Sequence, residues 1–282
     1  MNAGVQVIGF AARLCAAACL MTGCSQDAPG HGSDRTAGPR DAARPRDPVP
    51  SAIGHPKTDM HRETDRSHDS PEAISPGETV LLLHGLGRTR ASFRSMHGRL
   101  EQAGYRVIDW DYPSFSRSID QHAARLSERL RELDADPAVT RIHFVTHSLG
   151  GIIVRKALLD GPPAKTGRLV MLAPPNRGSR LARRTGPLLG RWIRPLRELS
   201  SAPDSVVNRM AAPQGVEIGI IAAARDGKVR VEDTHLPGET DHLVVPGFHT
   251  FIMNALVVQE QTLTFLRTGR FAGGGAATRP GV

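Results

Sequence analysis

The chain has 282 residues, enough for one large domain or two small ones, and a formal net charge of +8. All three cysteines, Cys15, Cys19 and Cys24, fall in the first 24 residues, which excludes a disulfide scaffold and a cysteine-ligated metal site from everything that follows. The basic surplus suits anionic surfaces, but no nucleic-acid-binding motif accompanies it, so a nucleic-acid partner is not expected.

Residues 1–24, "MNAGVQVIGFAARLCAAACLMTGC", place one cation, Arg13, before a short apolar run and then small residues. That order predicts an export signal. Its "MTGC" end resembles a bacterial lipoprotein lipobox, which implies lipidation of Cys24 and a membrane-anchored protein of the cell envelope, facing the periplasm. The apolar run falls short of the ~20 residues a spanning helix needs. From 25 to 77 the chain has no Phe, Trp or Tyr, eight prolines, nine acids and seven Lys/Arg. So little apolar surface cannot offset the entropy of ordering, and the segment reads as a disordered tether.

After Gly77 the pattern changes. "ETVLLLHGL" is a continuous apolar run, the mark of a strand buried on both faces. Phe93, Met96, Leu100 and Ala103 follow at helical spacing. "YRVIDWDYPS" predicts a second strand, "SIDQHAARLSERLREL" an amphipathic helix, "TRIHFVTHS" a third strand and "LGGIIVRKALLD" its helix. "GRLVMLAPP", "VEIGIIAAARD" and "DHLVVPG" predict strands four to six, with a closing helix from about Thr250 to Thr268 and a disordered tail over 271–282. Between strands four and five, Asn176 to about Gln214 is too long for a plain crossover. It begins "NRGSRLARRTGPLLGRWIRPLREL", with seven arginines, and is expected to be either a substrate-gating cap or a plain surface excursion with a solvated basic helix. Strands alternating with helices call for right-handed crossovers and a mostly parallel sheet covered on both faces, in one α/β domain over about 78–270. Ligands of such sheets bind at the carboxyl ends of the strands.

Ser148 in "VTHSLGG" sits where strand three turns into its helix, the place of a nucleophile elbow. The crowded turn demands small residues two before and two after the serine. Gly150 meets the second demand, and Thr146 is compact without meeting the strict first one. A serine N-capping an ordinary helix is the competing reading. An oxyanion hole needs two N–H donors: Leu149, after the serine, and Leu86 in the "HGLGR" loop after strand one. His84 is expected to hold that loop, and His147 to point away along the turn. Past strand five stands Asp226 in "ARDGKV", and past strand six His249 in "PGFHTF". Serine, acid and histidine thus follow in the chain order of this kind of site. The competitors are less well placed. Asp241 and His242 precede their strand, Asp160 follows a helix, and Asp233 and His235 lie in a connecting loop.

"LLLHGLGR", "DYPS", "FVTHSLGG", "VMLAPPNRGS" and "DGKVRVEDTHLPGETDHLVVPGFHTF" resemble bacterial lipase- or esterase-like proteins of the α/β-hydrolase fold, and more distantly secreted triacylglycerol lipases and GPI inositol-deacylase-like hydrolases. The likeness spans about 78–270. It implies Ser148, Asp226 and His249 as a triad, Leu86 and Leu149 as oxyanion donors, and a cap opening near "APPNRGS". The expectation is hydrolysis of a small-molecule or lipid ester through an acyl-enzyme, with no metal and no organic cofactor. Acyl transfer or amide cleavage by the same serine, and a non-catalytic envelope binding module, are the alternatives.

Overall fold

The computed structural model describes residues 74–273; the expected export signal with Cys24, the expected tether up to residue 73 and residues 274–282 of the expected tail lie outside them. Six strands run β1 Glu78–Leu83, β2 Arg106–Trp110, β3 Arg141–His147, β4 Thr166–Leu172, β5 Ile218–Ala223 and β6 Asp241–Val245. They form one sheet in the order β2-β1-β3-β4-β5-β6, with every pair parallel.

Parallel strands need crossovers, and helices supply them on both faces. Along β1, Leu81 and Leu83 face one core with Ile142 and Phe144 of β3, while Val80 and Leu82 face the other with Val145. The first face is closed by α2 (Ile119–Ala135) and α3 (Leu149–Asp160). The second is closed by α1 (Arg94–Gln102) and α8 (Leu256–Thr268), through Met96, Leu100, Val258 and Phe265. Helix α2 starts where Ser118 makes a reciprocal capping box with Gln121. Its buried stripe of Ile119, Ala123, Leu126, Leu130 and Leu133 keeps helical spacing throughout.

The structure departs from four sequence expectations in detail. Phe271, expected to open the disordered tail, is buried in the second core, and its N–H donates to Asp241. The closing helix does not run unbroken from Thr250: a 3₁₀ turn spans His249–Asn254, Ala255 is extended, and only then does α8 begin. That break lets His249 face the carboxyl edge while Ile252 and Met253 bury beneath it. Asp241 and His242 are the first two residues of β6 rather than upstream of it, still at the end away from the carboxyl edge. Asp233 lies in a short helix, α7 (Val231–Thr234), with His235 as its C-cap.

The long connection folds into three short helices, α4 (Arg180–Leu189), α5 (Arg194–Glu198) and α6 (Val206–Arg209). One buried cation ties its two ends together. Arg155 of α3 donates to the carbonyls of Asn176, at 3.2 Å, and of Ala211, at 2.9 Å, and also bonds the Met210 carbonyl. Burial brings this guanidinium down to about 10. Ile193, Leu196, Leu199 and Val207 are packed into the core, whereas Leu188 and Trp192 stand exposed.

Two buried histidines make stability depend on pH. His143 accepts a bond from the Arg168 N–H at Nδ1 (3.0 Å), so its proton sits on Nε2, facing Glu78, and burial takes its pKa down to about 3. His122 lies edge-on to Tyr112 with neither ring nitrogen hydrogen-bonded, and burial, with Arg117 and Arg125 nearby, takes it down to about 4. Below the unfolded value of roughly 6.5 the unfolded chain binds protons that the native state refuses, so stability falls as pH drops from 6.5 towards 4. Each histidine contributes a slope of up to about 1.4 kcal/mol per pH unit. Urea midpoints followed by circular dichroism at pH 7.5 and pH 5 are expected to drop accordingly, and less so in His122→Phe. Equal midpoints in the wild type would contradict this.

Candidate active site

Every sequence-predicted catalytic side chain comes from the carboxyl edge of the sheet. Ser148 lies between β3 and α3 with φ 51° and ψ −119°, a backbone that residues other than glycine rarely adopt. Two backbone bonds hold it there: the Ser148 N–H donates to Leu172 O at 2.9 Å, and the Gly151 N–H to Ser148 O at 3.0 Å. The hydroxyl caps no helical N–H. It lies instead 3.1 Å from His249 Nε2. The helix-cap alternative therefore loses the one bond that defines it.

The turn is this tight because α3 starts against the backbone of β1. A Cβ at Gly150 would lie 2.4 Å from Leu83 O and 2.8 Å from His84 O. Thr146 fits because its side chain turns inward, its hydroxyl donating to Val170 O at 3.3 Å. A Gly150→Ala variant must push apart two backbone segments, which is expected to cost about 3 kcal/mol or more of stability. A urea midpoint within error of the wild type would show that the turn yields more easily than this packing allows.

His249 is 7 % exposed, and its Nδ1 lies 2.6 Å from Asp226 Oδ2. The other carboxylate oxygen accepts from the backbone N–H groups of Lys228 (2.7 Å) and Val229 (2.9 Å). The carboxylate is thus anchored on one side by its own turn and offers its second oxygen to the imidazole. Its side chain is 2 % exposed, which keeps water from competing for that bond.

The loop after β1 closes the site from the other side. A Cβ at Gly85 would come within 3.2 Å of the Ser148 Cβ, so this loop touches the serine's turn. Leu86 lines the cleft over the serine, and Leu149 is the first residue of α3, fully buried. His84 fits its expected part: its ring stacks on Tyr112 at 4.3 Å, and the Tyr112 hydroxyl donates to His84 O at 2.6 Å. Burial keeps its pKa low against the pull of Gly85 O and Asp111.

His147 corrects the sequence reading. It does not point away but packs beside His249, ring centroids 4.9 Å apart, and its Nε2–H donates to the His249 carbonyl at 2.9 Å. Burial, then the nearby His249, holds its pKa well below the ordinary range, so it acts as a neutral prop for the histidine loop. Its Nδ1 is buried without a partner. The competitors are occupied elsewhere. Asp160 pairs with Lys156, Asp233 with Arg230, and His242 meets Thr234. Asp241 accepts from the Phe271 N–H.

Sequence reasoning missed Arg88, Lys228 and Thr250, which line the cleft beside Ser148. Arg88 and Lys228 stand inside the very motifs "HGLGR" and "DGKV" that drew attention to their neighbours. Leu181, Ala182, Leu196 and Leu199 from the long connection line the same cleft, so that segment borders the site. Ser179 in "APPNRGS" ties this segment to the turn after β5, its hydroxyl donating to Lys228 O at 2.7 Å.

A family described as "Domain of unknown function (DUF7379)" matches residues 49–228, which contain Ser148 and Asp226 but not His249. Over 113 residues the chain is 30 % identical to the 2-hydroxy-6-oxononadienedioate/2-hydroxy-6-oxononatrienedioate hydrolase of Comamonas testosteroni, a match to 37 % of this chain and 39 % of that protein. Over 91 residues it is 41 % identical to the magnesium-chelatase 30 kDa subunit of Rhodobacter capsulatus, covering 30 % and 32 %. The chain thus spans between about a third and two fifths of the length of these curated relatives. In structure it is similar to the Bacillus licheniformis lipase BlEst2 in its propeptide form, with a TM-score of 0.57, 20 % identity, and coverage of 67 % of this chain and 51 % of that one. The fold is the α/β-hydrolase fold.

Proposed function

The chain belongs to the DUF7379 family, and we propose that it is a serine hydrolase cleaving carboxylic esters. The observation that carries this reading is one continuous line: Ser148 Oγ to His249 Nε2 at 3.1 Å, and His249 Nδ1 to Asp226 at 2.6 Å. The strained turn under the serine supports it, because a buried non-glycine residue at positive φ is retained where geometry is needed for function. Hydrolases among the relatives and neighbours support it as well.

In the proposed reaction Ser148 Oγ attacks the ester carbonyl while His249 Nε2 takes the hydroxyl proton. The N–H groups of Leu86 and Leu149 receive the oxyanion, with the positive end of α3 behind the second. The tetrahedral species collapses, the C–O bond to the alcohol breaks, and His249 returns the proton to the leaving oxygen. Water then attacks the acyl-enzyme with His249 again as base, releasing the acid and free Ser148. Asp226 holds the Nδ1–H tautomer and stabilises the imidazolium.

The test is turnover of p-nitrophenyl esters of short and long chains, together with labelling by a fluorophosphonate, in wild type and Ser148→Ala. The reading expects ester turnover and a label in the wild type and neither in the variant. An acyltransferase would show turnover that rises with an added alcohol acceptor. A binding module would show neither turnover nor label, which would sink the reading.

A further inference from the structure

The lining of the cleft over Ser148 is of two kinds. Leu181, Ala182, Leu196 and Leu199 are apolar, while Arg88 and Lys228 are cations. Neither cation has an ion-pair partner among the described residues. Arg88 Nη2 is buried with no hydrogen-bond partner, its guanidinium resting 5.2 Å over the Phe251 ring. The Lys228 ammonium donates to the Thr250 hydroxyl at 3.2 Å, and Asp226, whose charge favours the ammonium, bonds His249 and makes no ion pair with Lys228. Burial lowers the pKa of both, and the lysine is lowered further by the arginine against the opposing pull of Asp226.

Two cations beside a nucleophile, half out of water and with no ion-pair partner among the described residues, carry a desolvation cost that the Asp226 charge and the Phe251 ring offset only in part. An anion delivered by the substrate would offset it. The mouth repeats the theme. An adjoining groove along the Asp226 turn is lined by Arg180, Arg184 and Arg230, of which, among the described residues, only Arg230 is paired, with Asp233 and Glu232. Such a field raises the local concentration of negatively charged substrates.

We propose that Arg88 and Lys228 form an anion subsite, and that the substrate is an acyl ester bearing a carboxylate or phosphate close to the scissile bond, its apolar part lying against the leucines. This rests on the serine-hydrolase reading and deepens it. The planar guanidinium can grip two oxygens of such a group at once, and the ammonium adds a third contact. Arg88 and Lys228 are positioning residues for the substrate and take no part in proton transfer.

The experiment compares substrates matched in shape. One arm sets p-nitrophenyl hydrogen adipate against p-nitrophenyl hexanoate; the other sets dihexanoyl phosphatidic acid against dihexanoylglycerol. The anionic member of at least one pair is expected to have about a 10–100-fold higher kcat/KM. Which pair shows the preference identifies the anion as a small-molecule carboxylate or a lipid phosphate. In Arg88→Gln and in Lys228→Met that ratio is expected to fall at least about tenfold. A ratio is insensitive to any fraction of misfolded protein, because both substrates meet the same active enzyme. A separate arm uses Ser148→Ala and calorimetry: adipate is expected to bind at least about ten times more tightly than hexanoate. Turnover with no anionic preference, or a preference that survives both substitutions, overturns the subsite and leaves the hydrolase reading intact. Absence of both turnover and fluorophosphonate label overturns the hydrolase reading itself.

Discussion

A His249→Ala variant is expected to hydrolyse p-nitrophenyl butyrate about 10⁴–10⁶ times more slowly than the wild type, with the loss in kcat rather than KM. The imidazole contacts the serine at 3.1 Å and is the sole base in reach among the described residues, because His147 is locked onto the His249 carbonyl. Without a base the Ser148 hydroxyl stays protonated and is a poor nucleophile. Ser148→Ala is expected to match it, and the double variant to be no slower than either single one, since the two residues act as one unit. Stopped-flow or plate-reader kinetics on the three proteins checks this. A loss below about 100-fold for His249→Ala would mean another group takes the proton.

Asp226→Asn is expected to lower kcat by about 10⁴ while leaving the fold intact. Its Oδ1 can still accept from the N–H groups of Lys228 and Val229, so the turn after β5 keeps its shape. What changes is the atom facing His249 Nδ1 at 2.6 Å, where an amide NH₂ replaces a carboxylate oxygen. The ring then favours the tautomer with Nδ1 unprotonated and Nε2–H turned to the serine, which cannot act as base. The measurement is kcat alongside a circular dichroism melt. An unchanged melt with a loss under tenfold would show that Asp226 does not orient the base.

The sheet was legible because parallel strands buried on both faces leave long apolar runs, and each of the six predicted runs coincides with a strand. Ser148, Asp226 and His249 could be picked out because each follows a strand in a parallel sheet, and all strand ends share one edge. The break at Ala255 was not legible. Ile252, Met253, Leu256 and Val257 are apolar at three- and four-residue spacings that suit one helix, and only the tertiary need to aim His249 at Ser148 interrupts it. His147 was misplaced because side-chain direction on a strained turn does not follow the strand's alternation. Arg88 and Lys228 carry no local mark of their place, since nothing in the neighbouring sequence tells a cleft from open solvent. Arg155 was hidden for a similar reason. Its role depends on two segments, around Asn176 and Ala211, that meet only in the folded chain.

Mass spectrometry of the protein after reaction with a fluorophosphonate reads out the nucleophile itself. A single covalent adduct is expected on the peptide containing Ser148, absent from Ser148→Ala and strongly slowed in His249→Ala. No adduct on the folded protein, or an adduct at another residue that persists in Ser148→Ala, would contradict Ser148 as that nucleophile.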